Sequence, residues 1–326
     1  MKVHQYKTAG LLLLCLLSVV VAGCGQKDVT EYTEDGREIV TIGYLPITHA
    51  LPVFQEQKLL EEQKDSTISI RLQKFSSWTD LMDALNAGQI DGASVLAELA
   101  MGAVSQGIDL EAVALGHKDG NVIVVSEKIQ SVADLSGKTF AIPSNQSTHN
   151  ILLQDMLATE EMTFGDLTII QLPPSEMPSS LASGAIDGYC VAEPFGAQAI
   201  VQGFGHVLYD STQLWDDSIC CLLVFNGKYL ENHSDTVDAF LEAYQQAGET
   251  LTKETAKETA KEYLGQDAQI LEQSLMWISY AHLAITKKDY QVLYEKVKEY
   301  NINGNPPSYE DFVYESSIFS KDNILE

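Results

Sequence analysis

Hydroxyl, amide and imidazole side chains follow two predicted strands, at the turns where each strand gives way to a helix. The strands are the β-branched run 39–44 and the apolar run 137–142. The side chains at these turns are Thr48, His49, Ser144, Asn145, Gln146, Ser147 and Thr148. Because free backbone N–H groups and the helix dipole meet at such turns, they favour a negative or polar guest. We expect these residues to contact a small ligand; the alternative is that they only cap their own helices.

Aromatic and acidic candidates lie near the ends of other predicted strands. Trp78 follows the second strand and is expected at the rim of a cleft, whereas Tyr44 and Tyr189 combine an apolar ring with a polar hydroxyl. The alternative for all three rings is packing in the core. Glu193 precedes Pro194 at a predicted helix start, so its carboxylate either accepts hydrogen bonds from a ligand or caps the helix.

Common catalytic motifs are absent from the sequence, which has no G-x-S-x-G elbow, phosphate-binding loop, H-E-x-x-H pair or calcium loop. We therefore expect no catalytic residue and no cofactor. The histidines lack the spacing of metal ligands, so solvated or capping roles are expected for them and no metal site is predicted. Beyond the predicted signal they are His49, His117, His149, His206, His233 and His282.

Three cysteines lie in the predicted folded body. Cys190, Cys220 and Cys221 form an odd set, which is not a disulfide framework. Cys220 and Cys221 belong to the apolar run 219–225, which predicts a buried strand in which cysteine acts as a small apolar residue. The alternative is a vicinal disulfide or a metal-thiolate pair.

An internal repeat indicates that the chain contains one structural unit twice. Leu81–Gly107 aligns without a gap with Met177–Gly203, 96 residues later. The identical pairs are Leu85/Leu181, Gly88/Gly184, Ile90/Ile186, Asp91/Asp187, Gly92/Gly188, Val95/Val191, Ala103/Ala199, Gln106/Gln202 and Gly107/Gly203. Each copy predicts helix, short strand and helix, with a glycine that can take the left-handed conformation at the end of the first helix. Each copy of the duplicated Asp is expected to stabilise its own turn. The alternative for the repeat as a whole is that it reflects ordinary α/β patterning.

Two lobes joined by crossing strands follow from this organisation. We place the first crossing at 121–126 and the second at 219–225, with the helices from His233 onward around the first lobe. The predicted limits are 39–124 with 223–326 for lobe 1 and 125–222 for lobe 2. Ligands of such open sheets sit at the carboxyl ends of strands, which here face each other across a cleft.

The N-terminal segment has the layout of a secretory signal. Residues 1–23 combine a basic start with an apolar run that is shorter than the roughly 20 residues of a membrane span. The four residues ending at Cys24 resemble the lipobox of bacterial lipoproteins, which implies acylation of Cys24. Residues 24–38 are polar and aperiodic, so a flexible tether is expected there. The alternative for residues 1–23 is an uncleaved membrane anchor.

The net charge of the chain limits the classes of partner that it can bind. The whole chain carries a formal net charge of −26, and the predicted signal contains lysines but no acidic residue. Such an excess argues against nucleic acid and against a basic membrane-binding face. Arginine occurs only at Arg37 and Arg71, so no Arg fork is available at the predicted turns to grip a sulfonate or carboxylate.

Several segments, in this order, resemble the substrate-binding proteins of ABC importers for nitrate, bicarbonate, taurine and aliphatic sulfonates, and the related binders and synthases of the thiamine pyrimidine precursor. They are 43–50, Ser77-Trp78, 89–92, 172–174 and Asp187-Gly-Tyr-Cys-Val-Ala-Glu-Pro194. Phe195 stands where the nitrate branch usually has Trp, and His49 where an Asp is common. The resemblance implies an α/β, two-lobed periplasmic-binding-protein type II fold, each lobe a mainly parallel sheet flanked by helices. It also implies an importer permease as partner.

The expected function is therefore an extracytoplasmic, lipid-anchored and monomeric solute-binding protein of an ABC importer. A small solute of the nitrate, sulfonate and taurine class is the first expectation, and the scarcity of arginine favours a neutral or amine-bearing aromatic as the alternative. Two other classes stay open: an enzyme of the pyrimidine-synthase kind, which needs a cofactor-binding Lys and an active His in the cleft, and a surface adhesin or sensor, which predicts no buried ligand.

Overall fold

The computed structural model describes residues 30–319. The predicted signal, the predicted lipid site at Cys24 and the first part of the predicted tether lie outside the described residues. A compact unit begins at Tyr32. None of the helices between residues 30 and 319 has the length and apolar composition of a membrane span.

The last part of the segment expected as a tether takes part in the fold. Tyr32 forms an isolated bridge with Glu38. The Glu38 carboxylate accepts hydrogen bonds from the Tyr229 hydroxyl at 3.1 Å and from the Thr236 hydroxyl at 2.8 Å. Ordered structure therefore begins several residues before Ile39, where we expected the body to start.

Strands and helices alternate through most of the described chain. The strands are β1 (Glu38–Tyr44), β2 (Ile68–Lys74), β3 (Gly92–Leu96), β4 (Leu110–Leu115), β5 (Lys118–Asp119), β6 (Asn121–Val125), β7 (Thr139–Ile142), β8 (Thr168–Gln171), β9 (Gly188–Ala192), β10 (His206–Asp210), β11 (Cys221–Asn226) and β12 (Ile278–Ser279). The helices are α1 (Leu51–Glu62), α2 (Trp78–Asn86), α3 (Ala97–Ser105), α4 (Thr148–Ala158), α5 (Met177–Ala182), α6 (Phe195–Val201), α7 (Gly227–Asn232), α8 (Ser234–Thr250), α9 (Lys253–Leu264), α10 (Ala268–Ser274), α11 (Lys287–Glu299) and α12 (Tyr309–Phe312).

Two five-stranded sheets repeat one topology. Their orders are β2-β1-β3-β11-β4 and β8-β7-β9-β6-β10. In each sheet the first three strands are parallel, and the fourth runs antiparallel to both of its neighbours. We call each sheet with the helices packed on it a lobe. The predicted α/β architecture with a mainly parallel sheet in each lobe is confirmed, since four of the five strands in each sheet run in one direction.

The antiparallel strand of each sheet is the strand that arrives from the other lobe. β6 follows the first-lobe strand β4 but pairs only with β9 and β10, and β11 follows the second-lobe strand β10 but pairs with β3 and β4. We expected β6 at the crossing itself, whereas all of its strand pairing lies in the second sheet. The residue limits predicted for the two lobes stay a prediction.

The internal repeat corresponds to the same local structure in both lobes. Gly88 and Gly184 have φ of 63° and 75°, the left-handed conformation that a glycine takes without strain. The Asp91 carboxylate accepts the N–H of Thr41 in β1 at 2.7 Å, and the Asp187 carboxylate accepts the N–H of Thr139 in β7 at 3.0 Å. The duplicated aspartates therefore tie each central strand to the strand that opens its lobe.

Buried strands form the two cores. Every residue of β3, β6 and β9 is buried, and each buried Val, Ile or Leu contributes roughly 1.5–3 kcal/mol relative to exposure. Helices α8 and α9 pack against α1 in the first lobe, as expected. However, α10 also contacts α6 of the second lobe, and Lys296 of α11 pairs with Asp155 of α4 at 2.8 Å. The C-terminal helices thus contact both lobes, since they cross the junction between them.

Candidate functional site

Thr48 and Glu193 join the lobes at their strand-to-helix turns. Thr48 lies in a 3-10 turn between β1 and α1, and Glu193 lies between β9 and α6. The Glu193 carbonyl oxygen accepts the Thr48 N–H at 2.8 Å and its hydroxyl at 3.1 Å. Both residues are fully buried. The Tyr280 hydroxyl donates to the Thr48 carbonyl at 2.8 Å, so the turn is held from both sides.

The Glu193 carboxyl group caps α6, which is one of the two roles left open by the sequence, and its contact with a ligand stays a prediction. One oxygen accepts the N–H of Ala197 in α6 at 2.8 Å, whereas Oε1 has no hydrogen-bond partner among residues 30–319. Burial without a cation raises the pKa of this carboxyl to about 8. Tyr189 is fully buried, and its hydroxyl donates to the Phe195 carbonyl at 2.9 Å in the same turn. Tyr189 therefore supports the turn, and Glu193 retains one acceptor.

A second contact between the lobes joins Thr148, one of the predicted turn residues, to Glu98, which sequence reasoning missed. The hydroxyl of Thr148, the first residue of α4, lies 2.7 Å from Glu98 Oε1 in α3 and 2.7 Å from the Ile219 carbonyl. Burial raises the pKa of Glu98 to about 7. A hydroxyl has one proton, so protonated Glu98 can donate to Thr148 while Thr148 donates to Ile219. Glu98 Oε2 has no partner in the part of the chain that the structure describes.

Residues of the turn before α4 have two roles: some stabilise the turn and the start of the helix, and one contacts the other lobe. Ser147 is the N-cap of α4 and accepts the Asn150 N–H at 3.2 Å, as the capping alternative predicted. Asn145 is exposed, and its N–H donates to Gln171 at 2.9 Å. Gln146 packs on α3 of the first lobe, since a Cβ added at Gly102 would lie 3.2 Å from its Nε2. Of these three residues, Gln146 is the one that reaches the other lobe.

Trp78 lines an open cleft between the lobes. The cleft has a volume of about 430 Å³. The first lobe contributes Ser77, Trp78, Thr79, Met82, Asp83 and Leu99, and the second Pro143, Ser144, Gln171, Leu172, Pro173 and Pro174. The indole N–H of Trp78 has no acceptor within residues 30–319. Tyr44 is absent from this lining and packs edge-on against Phe54 at 4.8 Å in a hydrophobic cluster of the first lobe, which agrees with the core alternative.

Buried histidines and cysteines meet where the two crossings pass the turns. One ligand-type atom from each of four side chains lies within 4.8 Å of the other three. The four are His49, His117, Cys220 and Cys221, and all are fully buried. His149 is 1% exposed and interacts electrostatically with His117. Burial lowers the pKa of His117 and of His149 to about 3. The expectation of solvated histidines was therefore wrong for these three.

A model of one protein family matches residues 34–265, which is more than half of the chain. The chain belongs to the NMT1-like family. Its fold is also that of solved periplasmic binding proteins, so the predicted type II fold is confirmed. The resemblance to importer substrate-binding proteins, stated from the sequence, is confirmed as well.

Individual relatives of this NMT1-like chain differ in length. It is 27% identical to the putative aliphatic sulfonates-binding protein of Bacillus subtilis over 252 residues, covering 73% of this chain and 72% of that protein. It is 27% identical to the nitrate import ATP-binding protein NrtC of Synechocystis over 227 residues, which is 62% of this chain and 34% of that protein. The chain thus spans about a third of the length of the longer relatives.

One solved structure is similar over nearly its whole length. It is the ligand-binding component of an ABC-type import system from Staphylococcus aureus, solved with zinc bound. The TM-score is 0.83 at 37% identity, and the match covers 87% of this chain and 98% of that one.

Proposed function

We propose that this NMT1-like protein is the extracytoplasmic solute-binding component of an ABC importer, which encloses one small molecule between its lobes and delivers it to a permease. The observation that carries the proposal is the pair of hydrogen-bonded contacts across the junction, Thr48 with Glu193 and Thr148 with Glu98. They bring the strand-to-helix turns of both lobes around buried polar atoms. The relatives of the same fold support this role.

Hinge motion at the two crossings is the mechanism. Opening separates Thr48 from Glu193 and Thr148 from Glu98, and closing re-forms these contacts around the solute. The solute leaves chemically unchanged, so the protein is no enzyme and needs no cofactor. The pyrimidine-synthase alternative needs a lysine in the cleft, and no lysine is buried in residues 30–319.

Cellular placement completes the proposal. Signal cleavage and acylation of Cys24 anchor a monomer to the outer face of the cytoplasmic membrane, and the strongly acidic composition keeps it from nucleic acid. Labelling of growing cells with a fatty-acid analogue tests the anchor: label should appear on the wild type and be lost in the Cys24→Ala variant.

The solute class follows from charge at the junction. Glu98 and Glu193 are fully buried there, and no lysine or arginine is buried in the described residues. A nitrate or sulfonate would have no buried cation among residues 30–319 to pair with and would disfavour ionisation of the two carboxyl groups, whose pKa values are about 7 and 8. A cationic or amine-bearing solute would instead stabilise their ionised forms, so the geometry favours a cationic, amine-bearing or neutral solute over the anions named for the relatives. The relative solved with zinc adds a metal ion to the solutes to be tested.

A thermal-shift screen tests the role. Nitrate, bicarbonate, taurine, alkanesulfonates, aminopyrimidines and divalent metal ions are added to the purified protein one at a time, because a ligand that binds only the folded state raises the Tm. We expect one class to raise the Tm, by an amount that increases with its concentration. A protein whose Tm responds to none of them, and whose small-angle scattering shows no closure, contradicts a solute-binding role.

A further inference from the structure

The cluster of His49, His117, Cys220 and Cys221 has the donor set of a metal site. The four donors reach the junction from three parts of the chain: His49 from the turn after β1, His117 from the first crossing, and both cysteines from the second. All four are fully buried. The interatomic limit of 4.8 Å compares with roughly 3.3–3.8 Å between neighbouring donors around a tetrahedral zinc ion. Shortening the longest of these distances between ligand atoms by about 1 Å would therefore bring the four donors to the spacing of a zinc site.

Two adjacent cysteines can reach one ion here because the chain is irregular at that point. Successive side chains of a regular strand point to opposite faces. β11 begins only at Cys221, so Cys220 lies outside the strand. Gly116 permits the close approach of the first crossing, since a Cβ there would lie 3.0 Å from the His49 carbonyl and 3.1 Å from the Cys221 carbonyl.

The orientation of His49 is that of a metal ligand. Its Nε2 lies 3.4 Å from the Gly120 carbonyl, and its Nδ1 lies 3.4 Å from Cys221 Sγ. When Nε2 carries the proton and faces the carbonyl, Nδ1 presents its lone pair to the cluster, as ligating histidines usually do. The His49 and His117 rings lie 3.6 Å apart between centroids.

Unsatisfied polar atoms around the cluster give a second, independent reason to expect an occupant. Both ring nitrogens of His117 and of His149 lack hydrogen-bond partners among residues 30–319, although these side chains are at most 1% exposed. Buried polar atoms without partners are costly and rare. Cys190, Cys220 and Cys221 are free thiols, so the vicinal disulfide that the sequence left open is not formed.

We propose that His49, His117, Cys220 and Cys221 bind one zinc ion in a four-coordinate site at the lobe junction, and that this ion is the solute. Two sulfur and two imidazole donors in tetrahedral geometry suit zinc. Binding releases the two thiol protons to solvent, so two thiolates balance the charge of Zn²⁺. The assignment of the ion as solute rests on the proposed function; the site itself does not.

Zinc competition with a chromophoric chelator tests the site on the purified full chain, after metal removal and under reducing conditions. We expect one zinc per chain. His49→Ala and Cys221→Ser should each weaken zinc binding at least about 100-fold, because changes outside the ligand set alone cost 10–100-fold. Cys190→Ser is the matched control: it removes a buried thiol of β9 outside the cluster and should retain wild-type affinity.

Cobalt substitution of the wild type avoids any folding defect of the variants. Two thiolates should give an intense thiolate-to-cobalt charge-transfer absorption with the visible bands of tetrahedral cobalt. The proposed site is overturned if the cobalt-treated protein lacks these bands and the protein binds no zinc. It is also overturned if Cys190→Ser loses as much zinc affinity as His49→Ala and Cys221→Ser. Tight Cu⁺ binding without zinc binding overturns the choice of ion.

Cellular zinc content tests the assignment as solute. Cells lacking the protein should accumulate less zinc under chelation, with rescue by the wild type and by Cys190→Ser but not by Cys221→Ser. If the protein binds zinc in vitro but its loss leaves cellular zinc unchanged, the assignment of zinc as the solute is overturned. The proposed importer role is then tested separately by the thermal-shift screen.

Discussion

Thr48 of the first lobe donates its backbone N–H and its hydroxyl to the carbonyl oxygen of Glu193 in the second lobe, at 2.8 and 3.1 Å. The residues are 145 positions apart. Their turns are not equivalent in the repeated topology: Thr48 follows β1, whose counterpart is β7, whereas Glu193 follows β9, whose counterpart is β3. Opening of the lobes must break these hydrogen bonds, so the pair is a direct measure of closure.

Removal of the Thr48 hydroxyl should loosen the junction. Thr48→Val keeps the shape and the backbone hydrogen bond but loses the side-chain one, worth about 1 kcal/mol. We expect roughly fivefold faster amide hydrogen exchange in the turns around Thr48 and Glu193, read by mass spectrometry. The control Thr212→Val removes an exposed hydroxyl that bonds to Asp210 and should leave those rates unchanged. Equal exchange in both variants would show that the bond does not hold the lobes together.

The Glu193 carboxyl should make stability depend on pH. Its pKa is about 8 in the folded protein against 4.5 for an ordinary Glu, so the folded state keeps a proton that the unfolded chain loses. Because of this difference in protonation, the free energy of unfolding should decrease as the pH rises from the lower to the higher of these pKa values, by up to about 1.4 kcal/mol per pH unit. Denaturant unfolding across this range should show a flatter dependence for Glu193→Gln. The exposed Glu160→Gln should keep the wild-type slope; a slope unchanged in both variants contradicts the assignment.

Thr148 should be important for stability as well as for closure. Thr148→Val leaves Glu98 Oε1 and the buried Ile219 carbonyl without the hydroxyl 2.7 Å from each. We expect the free energy of unfolding to fall by about 2 kcal/mol. Thr159→Val, at the exposed end of α4, loses only a local bond to Met156 and should stay within about 0.5 kcal/mol of wild type. Similar losses in the two variants would argue against a special role for the junction.

The duplicated aspartates should affect stability and leave solute affinity unchanged. Asp91→Ala and Asp187→Ala each remove an acceptor from a strand N–H, at a cost of about 1–3 kcal/mol each. Chemical denaturation should show comparable losses, whereas the solute identified by the thermal-shift screen should bind as to wild type. Asp65→Ala, an exposed control, should change neither. A selective loss of affinity in either variant would place that carboxylate in the binding site.

Much of the fold and part of the site could be predicted because the information is local. Helix and strand periodicity, the glycines after α2 and α5 and the 27-residue repeat are properties of short segments, and they predicted the paired α/β lobes. The family was implied by the resemblance of short segments such as 187–194. The turns after β1 and β7 were also predicted as the points where the lobes meet. A solvated position was wrong for His49, His117 and His149, because their spacing along the chain carried no sign of their packing.

Only the tertiary structure decided which polar groups come together. His49 and Cys221 are 172 residues apart, and Glu98 and Thr148 lie in helices of different lobes. Their meeting depends on β6 and β11 each entering the other half's sheet. Sequence determines a side chain's chemistry and its local backbone, whereas burial of the two sheets and the path of the crossings determine its partners, because those contacts form only when distant segments pack.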